Sequence, residues 1–204
     1  MIRATITVAV LCLYLTACTK KSNGTSDDPL GTSEMRQQAP HAVELGWQYF
    51  YNGDYNTALS RFKVAIRHDP AYAPGYYGIA YVNSVQSNLD EAIKYYRLTL
   101  EHDRTYPYTY ANLGYALLQK DQTDEALKML DQALKLKPDC GEAHLSYANY
   151  YASKEQWSNA EKSVNKAIAC GQVIHPELKS LLEKHGVRIS EMRKMRERLR
   201  FNLC

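Results

Sequence analysis

The sequence lacks two features that would assign it a function at once. Neither sign of charge dominates, because 25 Lys and Arg residues are set against 22 Asp and Glu residues. A nucleic-acid-binding surface, which needs a basic excess, is therefore not indicated. Catalytic motifs are missing as well, since there is no Gly-rich phosphate loop, no GxSxG and no HExxH. We expect a protein that is not an enzyme, with no catalytic residue, no cofactor, no metal and no nucleic-acid partner.

A long hydrophobic run is also absent. The uncharged stretch from Ala4 to Ala17 is shorter than the roughly 20 residues that span a bilayer as a helix. Arg3 precedes this stretch, and the small residue Ala17 ends it directly before Cys18. A basic start, a short apolar core and a small residue at the end are typical of a signal peptide, which we predict over residues 1–17.

The tetrad Leu15-Thr16-Ala17-Cys18 resembles the lipobox of bacterial lipoproteins. The resemblance implies that Cys18 is lipidated, and several acyl chains together anchor a protein stably to a membrane. Thr19, in place of an Asp, implies the outer membrane as the location at the cell envelope. The alternative is an ordinary signal peptide that happens to contain Cys18.

The residues that follow predict a flexible tether. Residues 19–40 are rich in Ser, Thr, Gly, Asp and Pro and show no apolar periodicity. We therefore predict an acylated cysteine and a disordered tether over residues 18–40. A flexible segment of this length reaches on the order of 25 Å.

A regular repeat fills most of the remaining chain. It is marked by equally spaced alanines at positions 58, 92, 126 and 160, by a Gly or Ala at positions 46, 80, 114 and 148, and by a larger apolar residue four positions after each marker alanine. Two antiparallel helices approach closely only where small side chains face each other, so this pattern predicts helix pairs. The pairs are expected at residues 39–72, 73–106, 107–140 and 141–174.

This residue order, with a period of about 34 residues, resembles the tetratricopeptide repeat (TPR) family over residues 41–172. The resemblance implies an all-α, right-handed superhelical solenoid of four helix pairs that serves as a scaffold for binding proteins. Two departures from the family pattern are the missing Trp of the first helices and the missing closing proline at Arg104 and Gln172.

The chain after the fourth pair, residues 173–204, is predicted to form a capping helix and a basic helix. Leu178 and Leu182 lie at the apolar positions of a further first helix, Pro176 lies in its first turn, and Gly186 is a stop signal. Such a helix covers the last apolar face of a repeat stack. For the basic segment two interpretations remain: a solvated helix packed on the stack, or a surface that docks to an anionic partner.

The resemblance also predicts a peptide-binding groove along the first helices. Most positions that line the groove in this family carry aromatic side chains here, and these rings offer a large contact area at little cost in side-chain entropy. The predicted groove residues are Trp47, Phe50, Tyr51, Tyr77, Tyr81, Tyr108, Tyr115 and Asn149. The family's Lys/Asn/Arg clamp for a terminal carboxylate is missing, so we expect a ligand segment with apolar and aromatic side chains. The alternative is that some rings merely pack on their neighbours.

Two cysteines of the fourth pair are candidates for a disulfide. Cys140 directly precedes the first helix and Cys170 ends the second, and an antiparallel pair brings these two points to the same end. Two alternatives remain open: a zinc site that adds His144 and His175, or separate thiols.

Taken together, these features predict a membrane-tethered adaptor that binds an envelope protein or peptide. Two narrower functions remain as alternatives. One is a pilotin-like assembly factor for an outer-membrane complex, and the other is a structural organiser of peptidoglycan-processing enzymes.

Overall fold

The computed structural model describes residues 33–189, and this part of the chain contains nine α-helices and no strand. The helices are α1 (Ser33–Tyr51), α2 (Tyr55–His68), α3 (Ala73–Val85), α4 (Leu89–His102), α5 (Pro107–Gln119), α6 (Thr123–Leu136), α7 (Gly141–Ser153), α8 (Trp157–Ala169) and α9 (Pro176–Lys184). The predicted signal peptide, Cys18, the predicted tether up to residue 32 and the predicted basic helix from residue 190 lie outside the described residues.

Helices α1 to α8 form four pairs, as the repeat predicts. The repeating alanines, and the larger apolar residues four positions after them, are all fully buried: Ala58, Ala92, Ala126, Ala160, Phe62, Tyr96, Leu130 and Val164. Short turns make the two helices of each pair antiparallel neighbours. The predicted all-α stack of helix pairs is confirmed.

The turn inside each pair repeats the same backbone conformation. A positive φ occurs at Gly53 (81°), Ser87 (62°), Asp121 (58°) and Glu155 (55°), one residue at the same position of each repeat. This left-handed conformation suits glycine and is unfavourable for residues with a Cβ. Only the first turn carries the residue that the conformation prefers.

Phe62 of α2 lies between two glycines on neighbouring helices. A Cβ built on Gly46 would lie 2.5 Å from Phe62 Cε1, and one built on Gly78 would lie 2.4 Å from Phe62 Cδ1. Real carbon atoms do not approach so closely, so only glycine fits beside this ring. The close approach of α1 and α3 to α2 therefore depends on these two positions.

The first helix begins earlier than the sequence predicts. Helix α1 starts at Ser33 and continues through Pro40, and Ala39 is fully buried. The predicted tether boundary at residue 40 is therefore wrong for residues 33–40. Residues 34–39 are good helix formers, and this propensity outweighs the missing apolar periodicity on which the predicted tether rests.

Helix α9 covers the end of the stack. Leu178 and Leu182 are buried in one cluster with Ala148 and Val164 of the fourth pair, and Val187 joins them beyond the helix. Gly186, directly after α9, has a φ of 75°, which ends the helix. Among the residues described, no helix is long and apolar enough to cross a membrane.

Candidate peptide-binding groove

Five of the predicted groove residues form one aromatic cluster on α1 and α3. The ring centroid of Trp47 lies 5.6 Å from those of Phe50 and Tyr81, 6.1 Å from that of Tyr77 and 6.3 Å from that of Tyr51. Most of these rings meet edge to face or tilted, which is the favourable geometry for aromatic pairs. The exposed fraction of Tyr51 is 79%, so the cluster reaches solvent.

The cluster is also part of the core. Trp47 lies edge to face against the fully buried Phe62, with 5.1 Å between the ring centroids. Trp47 and Phe50 are each half-buried against the first core cluster. The alternative that some rings pack on their neighbours therefore holds for Trp47, which both supports the fold and faces the groove.

Tyr106 extends the aromatic surface to the third pair. Its ring centroid lies 5.5 Å from that of Tyr77 and 5.4 Å from that of Tyr108. Tyr106 is not among the predicted groove residues, because it lies between two pairs, directly before Pro107, and not at a first-helix position. Its place directly before Pro107 is the signal in the sequence that could have drawn attention to it, and the structure shows it 43% exposed.

A small cavity opens among these rings. Its volume is about 180 Å³, and its wall includes Trp47, Pro74, Tyr77, Asp103 and Tyr106. Asp103 Oδ1 accepts hydrogen bonds from the backbone N–H and the hydroxyl of Thr105, at 2.8 and 2.6 Å. These bonds lower the pKa of Asp103 below its usual value, so the cavity wall carries a negative charge at neutral pH.

A larger cavity lies on α5 and α7, beside the segment that leads into α9. Its volume is about 650 Å³, and its wall includes Tyr115, Glu142, Leu145, Asn149 and the segment 172–178. Tyr115 is 40% exposed here, and Val173, on the opposite wall, is 82% exposed. The cavity thus combines exposed apolar surface with amide and carboxylate groups.

Four predicted groove residues that share one repeat position, Trp47, Tyr81, Tyr115 and Asn149, are found as two pairs. Trp47 and Tyr81 are in ring contact, whereas Tyr115 and Asn149 line the larger cavity. Tyr77 lies between the two regions, and its hydroxyl accepts a hydrogen bond of 3.0 Å from the side chain of Asn112.

Glu142 gives the groove its electrostatic character. Burial is the main cause of the raised pKa values of Tyr77, Tyr81 and Tyr106, and the negative charge of Glu142 raises all three further. Glu142, which lines the larger cavity, is therefore close enough to act on tyrosines of the aromatic cluster and on Tyr106. All these tyrosines stay protonated at neutral pH and can donate hydrogen bonds to a ligand.

The candidate disulfide is not formed. Cys140 is a buried free thiol whose Sγ lies 3.6 Å from Glu142 Oε2, and Cys170 is an exposed free thiol. Burial, with a smaller effect of Glu142, raises the pKa of Cys140. The zinc alternative has no geometric support, because His144 Nε2 lies 2.9 Å from the carbonyl of Pro138 and residues 33–189 contain no group of three His, Cys, Asp or Glu side chains suited to a metal ion.

Comparisons with known protein families and solved structures support the fold of helix pairs described above. Models of the tetratricopeptide repeat match residues 43–108, 86–150 and 117–184. No curated protein sequence matches the chain significantly.

Three solved structures illustrate the likeness. TTC0263, a thermophilic TPR protein of Thermus thermophilus, is 24% identical over 72% of this chain and 80% of that chain, with a TM-score of 0.60. PilW, a type IV pilus biogenesis factor, is 21% identical over 66% and 63%, with a TM-score of 0.60. The first TPR domain of Spaghetti (RPAP3), bound to the HSP90 peptide SRMEEVD, is 25% identical over 53% and 86%, with a TM-score of 0.51.

One assignment follows from the helix pairs, from the equal spacing of their buried alanines and turns, and from family matches that together span residues 43–184. The chain belongs to the tetratricopeptide repeat family.

Proposed function

We propose that this protein is a lipid-anchored adaptor that binds a partner protein or peptide through the groove on its first helices. The observation that carries the proposal is the continuous row of partly exposed rings from Tyr51 to Tyr108 beside two cavities. Exposed aromatic surface next to concave pockets is characteristic of protein-binding sites. The role is that of a scaffold and not of an enzyme.

The ligand that fits this groove is a peptide segment with apolar or aromatic side chains. In the described residues, neither cavity has a Lys or Arg side chain in its wall, and the charged groups there include Glu142 and Asp103. The peptide bound by RPAP3 is acidic at its end, and the walls of the two cavities offer such a segment no Lys or Arg partner. A terminal carboxylate is therefore not the feature that this groove recognises.

Anchoring through Cys18 would place the adaptor at the cell envelope, with the outer membrane favoured by Thr19. PilW, with which the chain shares the fold, is a type IV pilus biogenesis factor, so a pilotin-like role in assembling an outer-membrane complex is the narrower function that we favour. A scaffold for peptidoglycan-processing enzymes is the second candidate for the narrower function.

The test is a pull-down of envelope proteins with matched variants. Tyr81→Ala and Tyr115→Ala should each weaken capture of the partner by about 1–3 kcal/mol, as loss of an interface anchor does. Leu136→Ala is the control, because Leu136 is 41% exposed against 40% for Tyr115 but lies at the end of the second helix α6. Equal capture by all three variants, with unchanged circular dichroism, would exclude the groove as the binding site.

A further inference from the structure

The small cavity has the composition of a cage for a cation. Trp47, Tyr77 and Tyr106 contribute three aromatic rings to the wall, and the planes of the Tyr77 and Tyr106 rings meet at 87°. Ring faces attract Lys and Arg head groups, and the attraction strengthens where water is excluded. A volume of about 180 Å³ equals that of roughly six water molecules, which is room for one side chain.

Two carboxylates supply the matching charge. Asp103 lies in the cavity wall and is held ionised by its hydrogen bonds to Thr105. Glu142, on α7, acts electrostatically on the hydroxyls of Tyr77 and Tyr106. The cavity wall therefore combines the negative charge of Asp103 with electron-rich ring faces.

The molecule itself places an ammonium group on the neighbouring ring. Lys137 Nζ lies 4.9 Å from the ring centroid of Tyr108 and donates a hydrogen bond of 2.6 Å to the Tyr108 hydroxyl. Lys137 occupies the same repeat position as Asp103, one repeat later. In the third repeat the ammonium is thus supplied by the chain, whereas in the second repeat the position carries an acid.

We propose that this cavity binds the cationic side chain, Lys or Arg, of the partner segment, with Trp47, Tyr77 and Tyr106 around the cation and Asp103 as its counter-ion. The inference rests on the proposed function, because the cation arrives as part of a peptide in the groove. It narrows the ligand to an apolar segment that carries a basic residue.

The test selects ligands without assuming the partner. Random dodecapeptides displayed on phage are selected for binding to the full-length chain in neutral detergent. Each selected peptide is then synthesised in two forms, with its basic residue retained or replaced by norleucine. Norleucine keeps the apolar side chain and removes the charge. The variants are Asp103→Asn and Tyr106→Leu. Asp69→Asn is the matched control, because Asp69 makes the same hydrogen bond to the backbone two residues ahead but lies one repeat earlier, outside the cavity wall.

We expect one Lys or Arg to recur in the selected peptides and norleucine to weaken binding about fivefold to tenfold. Asp103→Asn should weaken binding of the basic peptide by a similar factor and leave binding of the norleucine peptide unchanged. The reason is that Asn keeps the turn and loses only the charge. Tyr106→Leu should act in the same direction, and Asp69→Asn should change neither affinity.

Failure of the cation site can be distinguished from failure of the proposed function. If peptides bind and Tyr115→Ala weakens them, but norleucine or Asp103→Asn has no effect, the cation site is wrong and the groove remains. If no peptide binds, or if binding is insensitive to Tyr115→Ala, the proposed function fails and the cation site fails with it.

Discussion

Replacing Gly78 by Ala tests whether the packing of the first two helix pairs depends on the space around Phe62. The new Cβ would lie 2.4 Å from both Cδ1 and Cε1 of Phe62 and 2.6 Å from Cγ. Phe62 is fully buried, so its ring has no empty space into which it can move. Overpacking of this kind costs about 1–3 kcal/mol.

The opposing effect is the better helix propensity of alanine, about 0.8–1.0 kcal/mol relative to glycine. Because the contact involves the middle of a rigid ring and not the end of a flexible chain, the steric cost should prevail. We expect a net loss of about 1–2 kcal/mol in the free energy of unfolding. For a chain of this size, each kcal/mol lowers the Tm by about 2–4 °C.

The assay is denaturant unfolding of Gly78→Ala, of Gly114→Ala and of the double variant Gly78→Ala/Phe62→Leu. At Gly114 the Cβ would lie 2.7 Å from Cδ2 and 2.8 Å from Cγ of the fully buried Leu130, and 3.1 Å from the carbonyl oxygen of Ala126, so a loss similar to that of Gly78→Ala is expected. Phe62→Leu should offset part of the Gly78→Ala cost, so the two changes should be non-additive. A neutral or stabilising Gly78→Ala would refute the argument from space around the ring.

Three further predictions concern a turn, the thiols and the anchor. Glu155→Gly should raise the free energy of unfolding by about 0.5–1 kcal/mol in thermal denaturation, because a left-handed backbone disfavours Glu. Asp121→Gly should raise the free energy of unfolding by less, since Asp tolerates this conformation. Iodoacetamide at pH 8 should label Cys170 much faster than Cys140, because Cys140 is buried. A higher pH should speed up the labelling of Cys140, since burial raises its pKa and the thiolate is the reactive form. Equal labelling rates in peptide mass spectrometry would contradict this. Cys18→Ser should abolish acylation, and a wild-type amino terminus that is unmodified or begins elsewhere would contradict the anchor.

The sequence predicts the helix pairs well because their packing depends on small residues at fixed spacing. Ala58 and its three counterparts must be small where two helices touch, so the constraint is visible in the sequence itself. Leu182 is predicted by its apolar position instead, and it is fully buried against the last pair. The early start of α1 could not be predicted in this way, because proline is unfavourable inside a helix, whereas Pro40 lies within α1.

The groove was predicted only in part, for a related reason. First-helix positions identify Trp47 and Tyr81, but Tyr106 and Asp103 lie between helix pairs, where the position of a side chain depends on how neighbouring repeats stack. The double role of Trp47 is likewise set by three-dimensional contacts, since its ring meets both Phe62 and the groove. Cys140 and Cys170 lie at the same end of the fourth pair, as predicted, but one is buried and the other exposed.

The central claim, that the first-helix face binds the partner, is tested most directly by photo-crosslinking in cells that produce the protein. Benzoylphenylalanine is placed at Tyr115 in one variant and at Leu136 in another, two positions of almost equal exposure on different helices. The proposed function predicts a specific adduct with an envelope protein from position 115 and none from position 136. An adduct from position 136 alone, or equal adducts from both, would contradict it.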